Sequence, residues 1–301
     1  MKKVYFFVVL TAFLFGTMEV ALKLAGSEMD PFQLTFLRFM IGGLLLLPFA
    51  AAEMRKRNIR LTLKDLLYLL YVGILGIPLS MLFFQLGVMN SNASTASVLI
   101  SVNPLFTMIF AHFMTDEKLK KNNVIVLLIG LLGILFMIKP WDLQAGNTVK
   151  GVVLMLLAAL FFGLYTVAGK ISVQKMGIMA QTSISFILGS LVLLVVILFM
   201  GRPVVSGIAE NWLLVAYISI FVTGLGYFSY FTAIKLSDAT TGSIAFFLKP
   251  AIAPVMAVIF LKETILWNTY IGIGLILVAS WLNIRGKKKE VTLNEAVRRD
   301  N

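Results

Sequence analysis

Two twelve-residue stretches decide the fold: Ala12–Lys23, AFLFGTMEVALK, and Ala159–Lys170, ALFFGLYTVAGK. At an offset of 147 they share six residues: Ala12/Ala159, Phe15/Phe162, Gly16/Gly163, Val20/Val167, Ala21/Ala168 and Lys23/Lys170. A second window answers at an offset of 146, where Ala93–Glu117 lies on Ala239–Glu263. There Ala93, Thr95, Ser97, Pro104, Ala111 and Glu117 recur as Ala239, Thr241, Ser243, Pro250, Ala257 and Glu263. Apolar segments match one another by composition alone. Two windows at nearly one offset that also share Lys, Pro and Glu point instead to an internal duplication.

The surroundings of both windows are apolar. The chain is 59% hydrophobic and 13% charged, with 24 Phe, and its mean hydropathy is +0.95. Soluble domains run about 45–50% apolar and about 25% charged, so this chain has too little charge to cover its apolar surface in water. A helix that crosses a bilayer needs about 20 mostly apolar residues. Ten segments meet that length or come close: Val4–Ala25, Pro31–Ala52, Leu66–Val88, Ala93–Thr115, Asn122–Pro140, Val149–Ser172, Met179–Met200, Trp212–Leu236, Ala239–Leu261 and Trp267–Ile284. The faintest breaks are Met89–Asn92 and Ser237-Asp238. Lys2 and Lys3 before Val4–Phe15 resemble the start of a signal peptide, but Glu19 and Lys23 follow without a small-residue cleavage site, so the segment reads as a retained helix.

Orientation follows from Lys and Arg. With the N-terminus in the cytoplasm, inner segments hold eighteen basic residues and outer segments four, Lys139, Lys150, Arg202 and Lys262. That bias predicts both termini inside a cell membrane, plasma or inner. Trp141, Trp212, Trp267 and Trp281 all fall near span ends, where amphipathic rings favour the interface. The polar stretch 287–301 reads as a cytoplasmic tail without a fold of its own. In this setting the net charge of +12 orients the chain in a membrane and does not signal nucleic-acid binding.

The two windows divide the chain into a first repeat at 1–145 and a second at 146–286. Each holds five spans. Five is odd, so the second copy enters the membrane upside down. The expected fold is all-α, ten transmembrane helices as two inverted five-helix repeats, an arrangement typical of secondary transporters with a site near the bilayer midplane. Two similar halves can exchange conformations and open that site to each side in turn.

The motifs resemble the EamA-like family of the drug/metabolite transporter superfamily. The residues that carry the resemblance are Phe15-Gly16 through Lys23, Leu37-Arg38-Phe39, and Asn103-Pro104 through Glu117-Lys118-Leu119, with counterparts Phe162-Gly163 through Lys170 and Lys249-Pro250 through Glu263-Thr264. The likeness covers about Val4 to Arg285. It implies a ten-helix carrier, often an exporter of small metabolites or amino acids. It implies no single substrate, because the motifs are mostly architectural. Glu19 departs from the family pattern, which favours an uncharged residue there, so the resemblance lends it no role.

Ionisable groups inside a span cost roughly 2.5–3.5 kcal/mol on insertion scales and need a reason. Lys249 stands mid-span directly before Pro250, with Pro254 one turn on. Two prolines loosen the helix, and a cation in a broken helix suits capture of a carboxylate. The plainer reading pairs Lys249 with a carbonyl or with Glu19. Asn103, its repeat mate, also precedes a proline and offers both donor and acceptor to a substrate or to a neighbouring helix. Glu19 and Arg38 lie at one depth on either side of a short hairpin, which suggests a buried ion pair; the alternative makes Glu19 a proton carrier and Arg38 its partner or a substrate clamp. Lys23 and Lys170 sit near opposite faces and can snorkel. Gln85, Tyr165, Tyr227 and Tyr230 are further candidates for a cavity lining. The pairs Gly73/Gly76, Gly130/Gly133, Gly224/Gly226 and Gly272/Gly274 read as close helix contacts or flexible points.

What is absent narrows the function. Without Cys there are no disulfides, thiol nucleophiles or thiolate metal sites, and the lone His112 makes a poor metal ligand. No nucleotide-binding motif supports ATP drive, and no cofactor site is expected. The sequence therefore reads as a secondary transporter, an exporter of amino acids or other carboxylate-bearing metabolites, with a small-molecule substrate, the lipid bilayer and protons as partners. A lipid-moving protein or passive channel is the alternative. An intramembrane enzyme would need a nucleophile–base pair or metal cluster that the chain does not offer.

Overall fold

A computed structural model describes residues 2–118, 121–138, 146–243, 245–264, 266–275, 277–279, 281 and 282. Among them, eight helices are long and apolar enough to cross a membrane: α1 Lys3–Gly26, α2 Pro31–Lys56, α3 Leu63–Met89, α4 Ala93–Met114, α6 Val149–Met176, α7 Ile178–Phe199, α8 Ile208–Leu236 and α9 Ala239–Leu261. Two shorter apolar helices complete the set, α5 at Lys121–Ile138 and α10 at Trp267–Ala279. The described residues contain no strand. Both faint breaks are real: α3 ends at Met89 and α4 begins at Ala93, while α8 ends at Leu236 and α9 begins at Ala239.

Local chemistry sets the ends. Asp30 caps α2 by accepting from the backbone of Phe32 at 2.8 Å and Gln33 at 3.3 Å, and Pro31 sits where no donor is needed. Thr62 and Asp65 form a reciprocal capping box at the start of α3. Gly177 takes a φ of 96° in the one-residue joint between α6 and α7, a conformation open chiefly to glycine. α3 and α8, third helices of their repeats, each widen into a π-helical stretch, Leu75–Met81 around Pro78 and Ile218–Leu225. Such insertions relax the helix at a defined point.

The two repeats interleave. α1 packs on α8 and α9 of the other repeat, and its mate α6 packs on α3 and α4. α2 lies against α7 and α8, and α7 against α2 and α3. Each contact thus has its exchanged counterpart, the pattern of an inverted repeat. The duplicated glycines explain why the crossings are tight. A Cβ on Gly16 would stand 2.7 Å from Ile252 Cγ2, and one on Gly163 2.7 Å from Phe106 Cβ. Ile252 and Phe106 are themselves repeat mates at offset 146. Close backbone approach at small residues supplies the dispersion that holds helices together in lipid.

Outward faces are apolar. Phe13 is 54% exposed, Leu198 62% and Ile259 62%, a surface suited to acyl chains. Trp212, Trp267 and Trp281 are also exposed, whereas Trp141 and the stretch 287–301 fall outside the described residues. Gly73 meets Gly189, Gly76 meets the ring of Tyr165, and Gly226 meets Phe15, as close-contact glycines should. Gly274 is not a close-contact glycine, since nothing described lies within 4 Å of its missing Cβ.

Alternating helix direction gives the bundle two ends. The near face carries the N-terminus and the pairs Asp65–Lys175 and Glu117–Lys170. The far face carries Asp30–Arg202 and Lys23–Glu263.

Candidate functional site

The middle of the bundle holds the charges that the sequence singled out. Lys249 projects from α9 just before Pro250, whose missing N–H interrupts the helix ladder at that depth. Its Nζ donates to Glu19 Oε1 of α1 at 2.6 Å, and both side chains are fully buried. Rings surround the ammonium: Phe84 and Phe246 have their centroids 5.4 Å away, and Phe15 lies at 6.0 Å. Such rings stabilise a desolvated cation through their faces.

Glu19 thus pairs with Lys249, the plainer of the readings given to that lysine, and not with Arg38, the partner that shared depth suggested. Shared depth brings Glu19 and Arg38 within electrostatic reach. Helix azimuth then decides the partner, because the face of α1 that carries Glu19 is turned toward α9. Arg38 is fully buried, with Nη1 against Met18 Sδ at 3.6 Å and its guanidinium 4.4 Å above the Phe39 ring. Among the described residues its Nε and Nη2 have no hydrogen-bond partner, and neither has Glu19 Oε2. Three unsatisfied positions on two buried ions are unusual, since buried charge is normally paired and hydrogen-bonded throughout.

The remaining candidates divide. Gln85 is buried, reaches the Leu22 carbonyl only at 3.5 Å and leaves Oε1 without a partner among the described residues. Tyr227 joins the aromatic cluster, its ring 5.1 Å from Phe15 and 5.0 Å from Phe186, and it lies within electrostatic reach of Arg38. Tyr230 shares a 2.8 Å hydroxyl bond with Thr166. The Tyr165 hydroxyl is buried and has no hydrogen-bond partner by geometry among the described residues. Asn103 is engaged locally: its amide donates to the Ala159 carbonyl of α6 at 3.3 Å and it accepts from the Thr107 hydroxyl at 3.2 Å. His112 is exposed near the end of α4, beside Phe113. Among the described residues no cluster of His and acidic groups could hold a metal ion.

Sequence reading missed the partners of Lys23 and Lys170. Each reaches a glutamate from the opposite repeat window, Glu263 at 3.5 Å and Glu117 at 2.5 Å. The signal was present in the repeat itself, because Glu117 and Glu263 recur at the offset that relates Ala93 to Ala239.

Known proteins place this geometry in a family. The model of the EamA-like transporter family matches residues 2–139 and again 149–285. An "Uncharacterized transporter" of Clostridium kluyveri is 38% identical over 296 residues, covering 96% of this chain and 95% of its own. One from Archaeoglobus fulgidus is 25% identical over 287 residues, covering 95% and 99%. A solved crystal structure superposes with a TM-score of 0.72 at 18% identity, covering 94% of this chain and 96% of that one, and so shares the fold. With both halves matched by one family model and a relative this similar along nearly the whole length, the chain is a membrane transporter belonging to the EamA-like transporter family.

Proposed function

We propose that the chain is a secondary transporter that exports small carboxylate-bearing metabolites, amino acids among them, by alternating access. In this reading it lies in the plasma or inner membrane with both termini in the cytoplasm. The observation that carries it is the buried charge set: two cations, Arg38 and Lys249, against one carboxylate, Glu19, with donors of Arg38 and one oxygen of Glu19 left without a hydrogen-bond partner among the described residues. A surplus positive charge in a low-dielectric centre favours an anionic guest. A carboxylate offered to the guanidinium fork gains two charge-assisted hydrogen bonds and offsets that surplus. The ammonium of an amino acid would find Glu19 Oε2 as its acceptor.

The aromatic walls supplied by Phe15, Phe246 and Tyr227 suit an apolar substrate side chain. Gln85 Oε1 adds a further acceptor. The family resemblance favours export, and proton exchange at Glu19 is the coupling this reading favours. The test is a thermal-shift screen of the purified protein against amino acids, simple carboxylates, amines and sugars. Carboxylate-bearing compounds should stabilise wild type and not Arg38→Met. Stabilisation by amines or sugars alone would overturn the reading.

A further inference from the structure

Both ends of α4 and α9 are tied by the same chemistry. The two helices lie side by side with opposite directions. At the near face, Glu117 just beyond α4 accepts from the first turn of α9: Ala239 N at 3.0 Å, Thr240 N at 3.4 Å and Thr240 Oγ1 at 2.8 Å. Lys170 of α6 donates to the same carboxylate at 2.5 Å. At the far face, Glu263 just beyond α9 accepts from the first turn of α4: Ala93 N at 2.7 Å, Ser94 N at 3.2 Å and Ser94 Oγ at 2.8 Å. Lys23 of α1 stands 3.5 Å away and donates to the Ser91 carbonyl at 2.8 Å. The glutamate, the lysine and the two helix-start residues of one cluster have their repeat mates in the other.

Each cluster joins the two repeats at one face. Free N–H groups and the positive end of a helix favour a carboxylate there. The charged groups are only 12–29% exposed, so their bonds are screened little, yet water can reach them. The near-face cluster helps to wall a cavity of about 600 Å³ that also meets Asp116 and Gln174. Between the clusters lie the central Asn103-Pro104 and Lys249-Pro250. The clusters tie α4 to α9 at the two faces between which Lys249 lies, so any parting of these helices at one face breaks the cluster there.

We propose that Glu117 with Lys170 and Glu263 with Lys23 are the two gate latches of the carrier, each holding one face shut and releasing when the other is closed. This rests on the alternating-access reading above and names the bonds that such a cycle must break. A cap that merely stabilised the fold would show no reciprocity between the faces, whereas a latch must.

The chain has no native Cys, so a single reporter can be placed behind each latch. Ser97 and Ser243 are repeat mates, one helical turn inside α4 and α9, and both are fully buried. In purified protein, Glu263→Gln should speed maleimide labelling of Ser97→Cys by about tenfold, the weight of one charge-assisted hydrogen bond, and slow that of Ser243→Cys. Glu117→Gln should do the reverse. Lys23→Gln and Lys170→Gln leave the helix caps intact and should act in the same directions more weakly, which keeps the test open if a glutamate variant does not fold. Labelling that changes at neither reporter, or that rises at both in each variant, overturns the latches. Reciprocal labelling in a protein without saturable counterflow would uphold the latches and count against the carrier reading.

Discussion

Replacing Lys249 by Met keeps the bulk of the side chain and removes its charge. In the structure this strands Glu19, whose only hydrogen-bonded ion partner among the described residues is the ammonium 2.6 Å away, at a site with no exposure on either side. Breaking one side of a fully buried pair costs about 3–5 kcal/mol, most of it the penalty on the charge left behind. The double variant Glu19→Gln/Lys249→Met removes both charges and should recover most of that loss, giving a coupling of about 2 kcal/mol or more. Reversible SDS titration of the purified protein in mixed micelles, followed by Trp fluorescence, measures the four stabilities. If Lys249→Met costs no more than the double variant within about 0.5 kcal/mol, the two groups do not form a buried charged pair and the central geometry is wrong.

Other perturbations read other parts of the account. Arg38→Met should weaken the apparent affinity for a carboxylate substrate by at least about 30-fold, the lower end for a buried hydrogen-bonded charge contact, as read from concentration-dependent counterflow. Gly16→Val drives side-chain atoms into Ile252 and should destabilise by about 1–3 kcal/mol in the same SDS titration, while Gly274→Ala, in open space, should cost nothing. Arg60→Cys, at the exposed turn after α2, should be labelled by an impermeant maleimide only after cells are opened; labelling of intact cells would reverse the proposed orientation.

Much of the architecture was legible because its causes are local or periodic. Apolar length identifies the long helices, and offsets of 146 and 147 identify the repeat without any knowledge of contacts. Lys249 was also legible, since a mid-span lysine beside proline cannot reach an interface. Its partner Glu19 was legible only as one alternative, because the same glutamate was also matched by depth to Arg38. Depth can be counted along a helix, but the direction in which Glu19 points depends on how α1 rotates against α8 and α9, and that is set by packing at Gly16 and Phe15. The same reasoning explains Asn103, whose amide is turned to the α6 backbone. The clusters at Glu117 and Glu263 stayed hidden for a different reason. Each joins a chain position to one more than 120 residues away, so neither window reveals its partner when read alone.

The carrier mechanism stands or falls on counterflow in proteoliposomes preloaded with an unlabelled amino acid. The account predicts transient, saturable accumulation of the labelled amino acid by wild type, lost in Lys249→Met and shifted to at least about 30-fold higher concentration in Arg38→Met protein that still elutes as a folded species. Accumulation that persists in both variants at wild-type rate, or uptake that never saturates, would contradict it.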